Sequence, residues 1–107
     1  MVFIERDDHL FYVRVPDYIR QVRLGQPAHF SVRADLMHTG EHPEMANRIE
    51  GRYITTEFMG SLETDVFEIA PGLFVHVEQH RSVADHVYAM GEREVICWPA
   101  DAGVLLD

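Results

Sequence analysis

Apolar and polar residues alternate with a period of two along most of this chain, and that alternation divides it into short strands. Residues 9–15 (H-L-F-Y-V-R-V) set Phe11, Val13 and Val15 against Leu10, Tyr12 and Arg14 and stop at Pro16. Residues 28–33 repeat the pattern, with Ala28, Phe30 and Val32 on one side and His29, Ser31 and Arg33 on the other. The densest stretch is 47–73. Its run 52–58 (R-Y-I-T-T-E-F) is rich in β-branched and aromatic residues and has Gly51 and Gly60 at its ends. Met59-Gly60-Ser61 supplies a turn, 64–69 (T-D-V-F-E-I) a second strand, and Ala70-Pro71-Gly72 another turn. In that hairpin Ile54 and Phe58 are expected on one apolar face, and Phe67 with Ile69 on one face of the return strand. Residues 74–80 alternate again, Leu73, Val75 and Val77 against Phe74, His76, Glu78 and His80.

Two departures from this period complete the pattern. Ser82 with Asp85 three residues on resembles a capping box, and Val83, Val87 and Met90 fall at helical spacing, so a short helix ending at Gly91 is expected. Residues 92–98 form the last clear strand, apolar on both faces from Val95 to Trp98. The stretch 34–45, with Gly40 and Pro43, is a loop by composition, and Val104, Leu105 and Leu106 form a terminal apolar tail. Six short strands, tight turns and one short helix predict an all-β domain, a small antiparallel barrel or sandwich.

Composition narrows the function. The 107 residues suit one domain, which buries roughly two thirds of its unfolded surface. Eighteen acids against nine bases give a net charge of −9, a field that repels nucleic acid and anionic lipid. All nine bases are arginine. With no lysine there is no P-loop lysine, no Schiff base and no Ser-x-x-Lys nucleophile. The chain itself should therefore neither bind ATP tightly nor hydrolyse it. Cys97, the only cysteine, excludes an internal disulfide, fits a reducing compartment and reads as a buried hydrophobe. No apolar run reaches the length of a membrane span, and V-F-I-E-R-D-D after Met1 has the pattern of neither a signal nor a transit peptide.

Candidate sites are few. His76, Glu78 and His80 share one strand face and offer zinc or iron ligands, but same-face neighbours are about 7 Å apart, which favours a solvated face over a metal site. His38 and His42 have the spacing of helical ligands in a stretch where Gly40 and Pro43 oppose a helix. Ile96 and Trp98 read equally as core or as an interface, and with Val104, Leu105 and Leu106 they are the candidates for an interface. No catalytic residue, resident metal or cofactor is expected.

The ordered set Asn47-Arg48-Ile49-Glu50-Gly51, Glu57-Phe58-Met59-Gly60-Ser61, Pro71-Gly72, Gly91 and Val95-Ile96-Cys97-Trp98-Pro99, with the tail Gly103-Val104-Leu105-Leu106-Asp107, resembles a TOBE domain. That is the C-terminal accessory domain of the ATP-binding subunits of ABC importers, and the likeness is to the polyamine (spermidine and putrescine) branch, with ferric-iron importers near by. The resemblance covers about 28–107, and 1–27 more loosely. Phe30 to Asp35 departs from the family's strand ending in Arg-Pro-Glu, keeping Arg33 and an acid but not the proline. The resemblance implies an oligonucleotide-binding-like β-barrel that performs no catalysis. Its implied partners are the ATPase domain of a parent chain, a second copy of that subunit and, indirectly, membrane permease subunits. It also implies a cytoplasmic position at the inner face of the cell membrane, without insertion. The rival reading is a stand-alone small barrel that binds a metal or small ligand. Cupins are one such class, but their His-x-His with a following glutamate is not matched at His76 to His80; oxyanion-binding barrels of the molybdate kind share the Asn-x-x-x-Gly start, but a lysine-free chain of charge −9 is a poor place to hold an anion.

Overall fold

The structure, a computed structural model, describes residues 2–6, 9–23, 25–60, 62–79 and 87–106. Among them are nine strands: β1 (Val2–Arg6), β2 (His9–Val13), β3 (His29–Val32), β4 (His38–Thr39), β5 (Asn47–Met59), β6 (Leu62–Ala70), β7 (Leu73–Gln79), β8 (Arg93–Trp98) and β9 (Gly103–Leu106). Apart from one 3-10 turn at Ala34–Leu36, the described residues contain no helix. The helix expected over 82–90 falls mainly on 82–86, outside the described residues; 87–89 are irregular and 90–91 form a turn. The fold is all-β and antiparallel, with one five-stranded sheet in the order β4-β8-β5-β6-β7 and the pairs β1-β2 and β3-β9. A parallel bridge between Arg14 and Val104 joins the two pairs.

β5 is the spine, and it is longer than its propensities predict. Residues 47–52 pair with β8 on one edge, and residues 52–59 pair with β6 on the other. Gly51 does not end the strand; it lies in extended backbone where Ile96 and Phe67 approach closely enough that any side chain would press on them. A bulge at Ile54 then changes the parity of the strand. Before it Asn47, Ile49, Gly51 and Tyr53 face inward; after it Thr56 does. The expected pairing of Ile54 with Phe58 on a core face is thereby corrected, for Ile54 occupies the bulge and Phe58 is 71% exposed near the hairpin tip.

The five-stranded sheet curls. Its edges β4 and β7 form no backbone ladder, so no closed barrel is present among the described residues, but Gln79 Nε2 donates to Thr39 Oγ1 across the gap at 3.2 Å. Inside the curl lie Ile49, Phe67, Val77, Ile96 and Trp98. Phe11 from β2 stacks on Trp98 at 5.4 Å and meets Phe30 from β3 at 5.8 Å, which ties the smaller sheets to the same core.

Three elements appear where no strand was expected. β1 pairs throughout with β2. The stretch read as a loop holds the buried Met37 and then β4, anchored where Gly40 N donates to Val95 O. The apolar tail is β9, paired with β3, and its Leu105 is buried. No helix among the described residues is long and apolar enough to cross a membrane.

Candidate functional site

The inward face of the curled sheet carries a polar cluster among its apolar residues. Thr56 and Asp65 are directly opposed on β5 and β6, and Asp65 is fully buried. Thr56 Oγ1 donates to Asp65 Oδ1 at 2.6 Å, so its oxygen accepts the Tyr53 hydroxyl, also at 2.6 Å. A second chain begins at Tyr88, just before the Gly91 turn. Its ring stands edge-on to Tyr53 and Phe67, and its hydroxyl donates to Glu94 Oε2 at 2.6 Å. Glu94 faces inward because it is the register partner of Gly51. Thr39 reaches the same phenol, and Gln79 donates to Thr39. These side chains bind five strands to one another through their interior faces. Buried groups satisfied in this way specify one packing of the sheet.

Tyr88 gives the cluster a measurable signature. Burial, and then its hydrogen bond to Glu94, push the phenol well above its ordinary value of 10.0. The folded state therefore favours the neutral phenol. That contribution to stability is complete below the unfolded value and is lost as pH rises through the folded one. In an ultraviolet titration of the four tyrosines, one is expected to ionise after the others, and Tyr88→Phe should delete that last component. A wild-type titration in which all four ionise together would contradict this placement.

The histidines that sequence reasoning singled out do not converge with this cluster. His76 is exposed on the outer face of β7 opposite Val66, Glu78 is half-buried opposite Thr64, and His80 lies outside the described residues. His38 and His42 do meet, with ring centroids 5.6 Å apart, on a strand end and a turn instead of a helix. His42 Nε2 lies 3.0 Å from Thr39 O and donates to it, and His42 Nδ1 lies 3.5 Å from Glu44 Oε1. Among the described residues no three His, Cys, Asp or Glu side chains gather as a metal site.

The candidate interface residues are placed mostly inside. Ile96, Trp98 and Leu105 are buried in the core, Val104 is half-buried, and only Leu106 is exposed. The run from Val95 to Trp98 has no polar side because both its faces are covered. Ile96 and Trp98 face the curl, while Cys97 on the other face pairs with His38 and directs Sγ toward Gly40 O at 3.5 Å. Cys97 is buried, as its apolar setting predicts.

Two residues of the motif set, Asn47 and Pro99, meet at one seam. Asn47 is fully buried, and its side-chain amide acts as a surrogate strand for the free edge of β2. Oδ1 accepts Tyr12 N at 2.7 Å, and Nδ2 donates to Tyr12 O at 3.1 Å and to Pro99 O at 3.3 Å. Two residues along the same edge, Arg14 N and O pair with Gly103 and Leu105 of β9. The edge of β2 is thus satisfied without a continuous partner strand.

Sequence reasoning missed Asp65 and Tyr88 as interior polar residues. For Asp65 a signal existed, since the alternation that turns Phe67 inward also turns Asp65 inward. Tyr88 fell in a stretch read as helix, where period two says nothing. No protein-family model, curated protein or solved structure matches this chain.

Proposed function

We propose that this chain is an accessory β-domain of the ATP-binding subunit of an ABC importer of the polyamine type, working by protein–protein contact and catalysing nothing itself. In this reading the curled five-stranded sheet is an oligonucleotide-binding-like barrel whose last gap is spanned by Gln79 and Thr39. Its partners are an ATPase domain on the same polypeptide, a second copy of that subunit and, through them, permease subunits, at the cytoplasmic face of the membrane. The observation that carries the reading is the ordered motif set and its use. The first residue of Asn47-x-x-x-Gly51 bonds the last residue of Trp98-Pro99, so the two ends of the set support one seam. A scaffold of this kind leaves function to the surface.

Two measurements on the isolated chain test it against a stand-alone metal barrel. Calorimetric titration with Mg-ATP is expected to give no micromolar binding, because neither a P-loop nor a lysine is present to cradle the phosphates. Elemental analysis after chelator-free purification is expected to find well under one transition metal per chain. Stoichiometric zinc or iron, lost in a His76→Ala/His80→Ala double variant, would replace this reading with the metal-binding one.

A further inference from the structure

The register of the small sheets leaves one backbone edge unused. Arg14 N donates to Gly103 O and Leu105 N donates to Arg14 O, so Gly103 and Leu105 turn their backbone toward β2. Val104 and Leu106 then turn theirs toward β3, where they face Ser31 and His29. By the same alternation Phe30 and Val32 direct their N–H and C=O groups to the other side of β3. Among the described residues no strand pairs there, and no hydrogen bond reaches either backbone. An unpaired edge of this kind is a template for another chain.

The charge around that edge differs from the rest of the molecule. β2, β3 and β9 contain no acid, although the chain has eighteen. Residues 9–33 hold Arg14, Arg20, Arg23 and Arg33 against the single acid Asp17, in a chain whose net charge is −9. Arg14 bridges Val104, and Val104 faces Ser31, so the three lie in one row across the outer face. Arg14, His29 and Ser31 are exposed on that face, while Phe30 and Val32 pack half-buried against the core. Asp35 pairs with Arg33 at 2.8 Å but leaves its side chain 76% exposed. The outer edge of β1 also lacks a partner strand among the described residues, but β1 carries Glu5 and precedes Asp7 and Asp8.

We propose that the free edge of β3 takes an extended acidic segment of a partner protein as an added strand. The backbone of such a segment satisfies the N–H and C=O groups of Phe30 and Val32. Period two then sorts its side chains: acids fall beside His29 and Ser31, in the field of Arg14 and Arg33, and apolar residues beside Phe30 and Val32. Anionic lipid or nucleic acid could meet the arginines but offers no alternating donors and acceptors for the edge. The proposal uses register and charge alone and does not depend on the importer reading.

The test is an NMR titration of the whole chain, at neutral pH and low salt, with a capped six-residue peptide that alternates Glu and Val. Saturable shifts and slowed hydrogen exchange are expected at the Phe30 and Val32 amides, and binding should weaken as salt rises. Val32→Pro removes an N–H that β9 does not use and should weaken binding at least about tenfold while the His29 and Ser31 amides keep their ladder bonds. Arg14→Glu, on the exposed face, is the arm that survives if the proline variant fails to fold; it should weaken binding about fivefold. A Lys-Val peptide of the same length should bind far more weakly, as should a Glu/Val peptide of equal composition with its alternation broken. The proposal is overturned if the shifts never saturate or gather on β1 instead of β3. Equal binding of the Lys-Val peptide, or wild-type binding by a folded Val32→Pro or Arg14→Glu variant, would overturn it as well.

Discussion

Asn47→Ala is expected to lower the free energy of unfolding by about 3 kcal/mol, because the alanine takes the Asn47 amide away from the Tyr12 amide and carbonyl at a covered seam and leaves the Pro99 carbonyl with the Ala102 amide alone. For a domain of this size that corresponds to a fall in Tm of roughly 15 °C. The loss should be local in its first effects. The Tyr12 amide should exchange with solvent well before those of β5 and β8, as the β1–β2 hairpin loosens from the body. Asn47→Asp separates geometry from chemistry. It preserves the acceptor for Tyr12 N but turns a carboxylate toward two carbonyl oxygens, so at neutral pH it should be at least as damaging as alanine. Burial raises the pKa of such a carboxyl above its unfolded value, so the stability deficit should shrink as pH falls and the group protonates. Equilibrium denaturation of both variants at pH 7 and pH 4.5 checks this. An Asn47→Ala cost under 1 kcal/mol would mean the seam holds without its amide.

Gly51→Val is expected to cost about 3 kcal/mol, at the upper end for overpacking in a close-packed core. A Cβ at this position would sit 3.1 Å from both Ile96 Cδ1 and Phe67 Cβ and 3.3 Å from Ile69 Cγ2. Ile96 Cδ1 is the end of a flexible side chain and can yield. Phe67 Cβ cannot move without its strand, and both residues are completely buried. Gly51→Ala should be much milder, because its single methyl needs only a few tenths of an ångström and the lost glycine entropy in the unfolded chain offsets about 0.5–1 kcal/mol. The contrast between the two is the informative quantity. Urea denaturation at equal m-value should show it. A valine variant within 1 kcal/mol of wild type would place this contact among the soft ones.

The alternating stretches were legible wherever one face of a strand is covered and the other is not. Phe30 and Val32 against His29 and Ser31, and Val75 and Val77 against Phe74 and His76, lie as their period predicts. The chain conceals what period and propensity do not encode. The bulges at Ile54 and Ile69 move later residues to the other face, and no local signal marks them. Gly51 reads as a strand breaker until Ile96 and Phe67 are seen to need its empty side. β4 is two residues long and exists because β8 offers it a partner, so it has no propensity of its own to be read. The run ending at Trp98 lacks a polar face, a signature shared by a strand covered on both sides and by a contact surface, and the structure takes the first of the two. Of the candidate residues, the alternation correctly puts His76 on an outer face. Which backbone groups of β3 face its free edge depends on the register with β9, about seventy residues away, and sequence alone does not supply that register.

The claim that this domain serves a transport ATPase is tested most directly by the size of the native polypeptide. An antibody raised against the folded chain should detect in the source cells a band several-fold heavier than 12.4 kDa. Peptide sequencing of that band should find a phosphate-binding glycine-rich loop with its lysine on the same polypeptide. A single band at 12.4 kDa, with no heavier species carrying this sequence, would contradict the account.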